Sequence, residues 1–174
     1  MKEYRYCPLC GGELTEREAG GRPRPACACG YVHWRNPAPA VGVVTLSEGR
    51  VLWVRRAFEP RRGLWSLPAG FLEWEEDPRA GARREALEET GLEMEIGEVF
   101  EALAGDDDPR TRALLVLFWA EIIGGEERAG DDASELAWFP AEAPPEEIAW
   151  ESHRRVGEVL ARMMAEGTLP GGGR

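Results

Sequence analysis

All four cysteines of the chain fall within its first 29 residues: Cys7, Cys10, Cys27 and Cys29. They read Cys-Pro-Leu-Cys, a gap of 16 residues, then Cys-Ala-Cys-Gly, and residues 30 to 174 contain no cysteine. A segment below about 40 residues rarely buries enough apolar surface to fold unaided, so a metal or disulfides must supply the missing stability. Thiolates paired on tight turns close a tetrahedral Zn2+ site. Gly11, Gly12 and Gly30 follow the two pairs, where they let the backbone bend until its amides approach the sulfurs. Zinc contributes about 10–16 kcal/mol of apparent binding energy to such a module. Two disulfides are the alternative, disfavoured because no secretion signal opens the chain and the cytosol reduces such bonds.

Residues 1–36 are therefore read as a zinc ribbon, with a boundary at Asn36-Pro37. The one-residue spacer in Cys27-Ala28-Cys29 departs from the usual two, which leaves His33 open as a replacement ligand. Residues 37–166 form the main domain, and residues 167–174, ending in three glycines before Arg174, are expected to be a disordered tail.

The 174 residues include 21 Lys+Arg against 32 Asp+Glu, a net charge of -11, and Lys2 is the only lysine. Such a surface repels nucleic acid and anionic membranes. A phosphate-bearing ligand must then be met through a metal ion or a local arginine cluster. No apolar run approaches the ~20 residues of a membrane span, so a cytoplasmic protein is expected.

Val- and Leu-rich stretches at 39–47 and 51–55, separated by Ser47-Glu48-Gly49-Arg50, read as strand, turn, strand. Trp65-Ser66-Leu67 reads as a short strand, followed by Ile96 to Leu103, Leu114 to Ile123 and Glu135 to Phe139. Loops are expected at Gly105 to Pro109 and Gly124 to Asp132. Val156, Val159, Leu160, Met163 and Met164 repeat at helical spacing, and both methionines are read as core packing.

One helix stands out. Asp77 suits an N-cap, Pro78 the first helical position and Gly91 the C-terminal stop. Between them Glu85, Glu88 and Glu89 share one face. Like charges so spaced cost about 0.2–0.5 kcal/mol per pair on an isolated helix. A purely structural helix gains nothing from this, whereas Mg2+ or Mn2+ needs a cluster of hard oxygen ligands. A solvated acidic face partnered by Arg83 and Arg84 is the alternative reading.

From Gly70 the chain runs five residues to Glu76, then seven to Arg84-Glu85-Ala86-Leu87-Glu88-Glu89-Thr90-Gly91-Leu92. This resembles the box of the Nudix hydrolases over all 23 positions, with Ala86 smaller than the usual aliphatic residue. The cysteine-rich start, Tyr31 to Pro37 and Glu59 to Gly70 resemble the zinc-ribbon subgroup of that family. The resemblance implies an α/β fold, an α/β/α sandwich around a mixed sheet with a small N-terminal zinc ribbon. It implies divalent-cation-dependent hydrolysis of nucleoside diphosphates linked to another moiety. Carried over by position, Glu85, Glu88 and Glu89 hold Mg2+ or Mn2+, joined by the Ala69 carbonyl and by Glu135. Glu85 or Glu88 serves as base, and Arg84 pairs with Glu76 to fix the carboxylate face. Gly70, Glu76 and Gly91 are structural positions of the motif.

Arg55, Arg56, Arg61 and Arg62 cluster just before the box, and Trp65 and Trp74 flank it. They are candidate phosphate and base contacts, with surface solubility and core packing as the alternatives. ADP-ribose, FAD and NADH are the implied substrates. Pro109 loosely matches a proline of ADP-ribose-specific relatives, and nothing between Glu93 and Asp108 matches the stretch of dedicated NADH enzymes. A nucleoside triphosphate pyrophosphohydrolase and a non-catalytic ligand sensor are the competing functions. The expected partner is a small-molecule nucleotide, not nucleic acid or a membrane, with a homodimer left open.

Overall fold

A computed structural model describes residues 4–169. The chain divides into two compact units, Met1–Pro37 and Ala38–Arg174.

The first unit is a two-stranded antiparallel sheet, β1 (Thr15–Ala19) and β2 (Arg22–Ala26). The turn is Gly20-Gly21, both with positive φ, as the tight hairpin turns that match strand twist require. The sequence pattern does not mark this hairpin, because β2 is Arg-Pro-Arg-Pro-Ala and carries no apolar alternation.

In the second unit, β3 (Ala38–Ser47) is the axis. It pairs parallel with β8 (Ala113–Gly125) and antiparallel with β4 (Arg50–Arg56) and the three-residue β6 (Ala69–Phe71). The strand order is β5-β4-β3-β8-β7, with β5 at Trp65–Ser66 and β7 at Leu92–Gly105. The remaining strand, β9 (Ala133–Pro140), pairs with β4. Along β8, Leu115 and Leu117 join one core while Phe118 and Ala120 join the other. A strand covered on both faces reads as a continuous apolar run rather than an alternation.

Each face is covered by one helix, which gives the expected α/β/α sandwich around a mixed sheet. Helix α1 (Pro78–Thr90) buries only Ala82 and Ala86 among its apolar side chains, packed with Val41, Val43, Met94 and Phe118. The small Ala86 is thus a fully buried contact of a helix lying close to the sheet. On the other face, α2 (Glu151–Glu166) inserts Val156 and Leu160 among Val44, Trp53, Leu103 and Leu117.

Three expectations need correction. Strand β7 starts at Leu92 rather than Ile96: Leu92, Met94 and Ile96 are buried and alternate with exposed Glu93 and Glu95, directly after the helix stop at Gly91. Met164 is exposed rather than in the core, although Met163 packs against it. The chain is ordered past 167: Gly167 caps α2 in the left-handed region, Thr168 N–H donates to Met163 O, and Leu169 is buried in the core. Residues 170–174 of the expected tail lie outside the described residues. Among the described residues, no helix is long and apolar enough to cross a membrane.

Helix α2 is tied to the strand leading into β6 by a buried histidine. The Leu67 backbone N–H donates to His153 Nδ1 at 2.9 Å. Burial, with the nearby Arg56 charge, lowers the imidazole pKa from 6.5 to about 3. A base so depressed binds fewer protons folded than unfolded across that window. Its contribution to stability is full above about pH 6.5 and is lost as pH falls towards 3, at up to about 1.4 kcal/mol per unit. In His153→Asn the Oδ1 can still accept from Leu67 but does not titrate. Between pH 7 and 5 the wild-type Tm should fall relative to that variant; parallel Tm profiles would contradict a buried neutral imidazole.

Candidate active site

The Nudix-like stretch folds as a strand, loop and helix. Asp77 caps α1, accepting from Arg79 N–H at 2.9 Å and Ala80 N–H at 3.3 Å. Gly91 ends it at φ 71°. A Cβ on Gly91 would also lie 2.4 Å from the Glu126 carbonyl, so glycine is needed there for both conformation and space.

Arg84 organises the helix face. Its Nε and Nη2 each donate to Glu76 at 2.8 Å, a two-point pair. Its Nη1 donates to Glu85 at 2.7 Å and to Glu88 at 3.0 Å, and Nη2 also reaches the Phe71 carbonyl at 3.2 Å. The hydrogen bonds from Arg84 hold Glu76 below the usual carboxylate range, and those to Glu76 push Arg84 up.

Glu85 and Glu89 lie under β6. A Cβ on Gly70 would sit 2.2 Å from the Glu85 carboxyl carbon, so any larger residue there would force the end of this side chain or the strand to shift. Burial raises the Glu85 pKa against the pull of Arg84. Glu89 is 3% exposed and accepts from the Ala69 N–H at 3.0 Å. Burial, then the charge of Asp132, raises its pKa well above the ordinary range.

Of the expected metal-holding groups, Glu85, Glu88, Glu89 and Ala69 are thus on one helix and the strand above it. The glutamates do not converge on one point, since Arg84 holds Glu85 and Glu88 while Glu89 turns to Ala69. Glu135 is exposed and pairs with Arg55 at 3.0 Å. The further acidic side chain that acts on Glu85 and Glu89 is Asp132, immediately before β9. It ends a polar loop in sequence, and no spacing rule connects it to α1. The donor set is oxygen-rich and like-charged, which fits a hard divalent cation.

Next to Gly70 lies an open cleft lined by Ala69, Arg56, Asp107, Asp108, Arg110, Trp150 and His153 among others. Arg56 and Arg61 both stack on Trp150, at 5.2 and 5.6 Å from the ring centre, and Arg61 reaches Asp107 at 3.5 Å. Arg55 instead bonds the Gly63 carbonyl, and Arg62 is exposed. Trp65 packs edge-on against Phe139 and joins the core; it does not line the cleft. Trp74 is 95% exposed. Trp150 and His153 went unmarked in the sequence, where both merge with the α2 pattern.

In the first unit, the four cysteine sulfurs all lie within 4.8 Å of one another. Cys7 and Cys29 are 3.7 Å apart and Cys10 and Cys27 3.5 Å, far beyond a disulfide bond of about 2.05 Å. Four thiolates about 2.3 Å from one centre would stand about 3.8 Å apart, so the cluster fits a tetrahedral zinc ribbon. The Cys29 backbone N–H and the Cys10 thiol lower the Cys27 pKa to about 7. His33 stays outside the cluster, with Nδ1 3.4 Å from the Tyr31 hydroxyl and Tyr4 edge-on to its ring.

A family model for the Nudix domain matches residues 36–160. The chain belongs to the Nudix hydrolase family. The crystal structure of a Nudix hydrolase from Nitrosomonas europaea superposes with a TM-score of 0.77 at 34% identity, over 94% of this chain and 92% of that one. An ADP-ribose pyrophosphatase of Methanocaldococcus jannaschii is 36% identical over 110 residues, 63% of each chain. The NAD-capped RNA hydrolase NudC of Stutzerimonas stutzeri is 28% identical over 98% of this chain, but over 62% of its own length. The chain therefore spans less than two thirds of these two curated relatives.

The Gly70 contact gives a direct test of the Nudix geometry. Gly70→Ala should displace Glu85 or β6 and destabilise the protein by about 1–3 kcal/mol, read from urea unfolding. Unchanged stability would mean that the Glu85 carboxylate swings aside freely and is not held in place by Arg84.

Proposed function

We propose that this chain hydrolyses the pyrophosphate bond of a nucleoside diphosphate linked to another moiety, with ADP-ribose, FAD and NADH as first candidates. The observation that carries the reading is the α1 face: Glu85, Glu88 and Glu89 beneath β6, with Arg84 locked on Glu76. Glu85, Glu88, Glu89 and the Ala69 carbonyl would hold Mg2+ or Mn2+, with Asp132 beside them. When bound, such a cation neutralises phosphoryl oxygens and lowers the pKa of a coordinated water. Glu85 or Glu88 accepts the proton of the attacking water, and Arg84 orients both carboxylates. The cleft beside Gly70, with Arg56 and Trp150, takes part of the nucleotide. Pro109 belongs to the loop whose Asp108 and Arg110 line that cleft.

The names of the relatives support this substrate class, one being an ADP-ribose pyrophosphatase and another an NAD-capped RNA hydrolase. The intact carboxylates argue against a ligand sensor. The pure protein with Mg2+ should release AMP together with ribose 5-phosphate, FMN or NMNH from the respective substrate, resolved by chromatography. Glu88→Gln and Glu89→Gln should cut turnover by orders of magnitude while Tm stays near wild type. Exclusive release of inorganic pyrophosphate from nucleoside triphosphates would replace the reading with a triphosphate pyrophosphohydrolase.

The first unit is proposed to hold one Zn2+ on Cys7, Cys10, Cys27 and Cys29. Elemental analysis after gentle chelation should find about one zinc per chain. Protein without zinc that still keeps a folded N-terminal unit would refute this.

A further inference from the structure

His153 is 4% exposed, yet its ring borders the cleft beside Gly70. Nδ1 accepts the Leu67 N–H. A backbone amide can only donate, so the ring proton of the neutral imidazole must sit on Nε2. No hydrogen bond to Nε2 is made among the described residues. Nor is Nε2 sealed in the core: among the described residues, the fully buried side-chain nitrogen or oxygen without a partner is Trp53 Nε1. The Nε2–H is therefore a fixed donor at the cleft wall.

The cations around it differ in what they leave over. Arg61 is paired with Asp107, and Arg110 with Asp108 at 2.8 Å. Arg56 makes no ion pair among the described residues. Its Nε donates to the Pro60 carbonyl at 3.0 Å, its guanidinium stacks on Trp150, and its charge reaches the His153 ring. A permanent cation with spare N–H groups and a donor that cannot become an acceptor border the same cleft. That combination suits an anionic oxygen ligand, and a guanidinium matches phosphate geometry well.

We propose that His153 Nε2–H and the Arg56 guanidinium form a phosphate-recognition corner, making His153 a specificity-determining residue. The inference deepens the functional reading above and rests on it for the nature of the ligand. The phosphate can belong to the nucleoside half of the substrate or to the other half, and the probes separate the two.

The test is calorimetric titration of the full chain, with Mg2+, using AMP against adenosine and ribose 5-phosphate against ribose. None of these probes has a pyrophosphate bond to lose, so binding is read without turnover. At least one phosphorylated probe should bind wild type more tightly than its unphosphorylated counterpart, and the pair that shows this names the half recognised. His153→Asn keeps an acceptor for Leu67 but has no group at the Nε2 position. It should weaken the phosphorylated probe roughly tenfold or more, as expected for a hydrogen bond to a charged group, and leave the unphosphorylated one unchanged. His153→Gln, whose amide nitrogen can take the place of Nε2, should bind phosphate better than His153→Asn does. Arg56→Gln leaves the Leu67 bond intact and should show the same selective loss, so the corner stays testable if the histidine variants fold poorly. Wild-type affinity in both His153→Asn and Arg56→Gln, an equal loss for phosphorylated and unphosphorylated probes, or no phosphate preference in wild type would each overturn the proposal. A protein with the selective losses but no hydrolysis of any dinucleotide would instead overturn the enzymatic reading and leave the corner standing.

Discussion

Arg84 makes five side-chain hydrogen bonds: two to Glu76 and one each to Glu85, Glu88 and the Phe71 carbonyl. Five is the full donor count of a guanidinium. Without this cation, the glutamates of α1 would repel one another on a helix that buries only two apolar side chains against the sheet. The planar fork also joins two levels of the structure. Glu76 belongs to the loop before the helix, and Phe71 to the strand above it. A lysine carries the same charge but cannot hold two oxygens of one carboxylate in a plane while reaching two further carboxylates. The spacing between β6 and the glutamate face is thus set by Arg84 together with the Ala69–Glu89 bond, with Gly70 leaving room for the Glu85 carboxylate.

What could be read in the sequence is what local interactions decide. Helix α1 runs from Pro78 to Thr90, as the sequence predicts, because Asp77, Pro78 and Gly91 act within one turn of its ends. The Arg84–Glu76 pair is implied by the resemblance of the 23-residue stretch rather than by local rules, and the structure forms it. The first residues of β7, Leu92 to Ile96, carry an apolar–polar alternation that is readable in the sequence, whereas its register irregularities exist only against β8. Asp132 was missed for a comparable reason. Its effect on Glu89 arises from the return of the chain into β9, and a carboxylate in a polar loop looks solvated until that return is known. Trp65 has two readings in the sequence, a binding role beside the motif and ordinary core packing, and its edge-on contact with Phe139 favours the second.

His153 illustrates why a helix pattern hides function. It lies three residues before Val156, on the face that packs against the sheet, so periodicity alone marks it as interior. Interior it is, and the bond from Leu67 explains how a polar ring is tolerated there. The same bond fixes which nitrogen carries the proton. A structural hydrogen bond on one side of an imidazole thus determines the chemistry offered on the other.

The cleft draws its walls from segments far apart in the chain. Helix α2 begins at Trp150, which provides no side-chain cap. The Glu151 N–H is instead met by Asp107 Oδ2 at 3.1 Å, from the loop between β7 and β8. That same oxygen is 3.5 Å from Arg61, in the loop between β4 and β5. One carboxylate therefore gathers a helix start and two loops around Trp150, and neutralises a cation in doing so. In a chain of net charge -11, arginines near carboxylates are readily paired and lost to an incoming anion. Arg61 and Arg110 are paired with aspartates. Although Asp108 feels its charge, Arg56 stacks on Trp150 with no ion pair among the described residues. A neutral ring donor beside it adds directionality without adding a charge that those aspartates would claim.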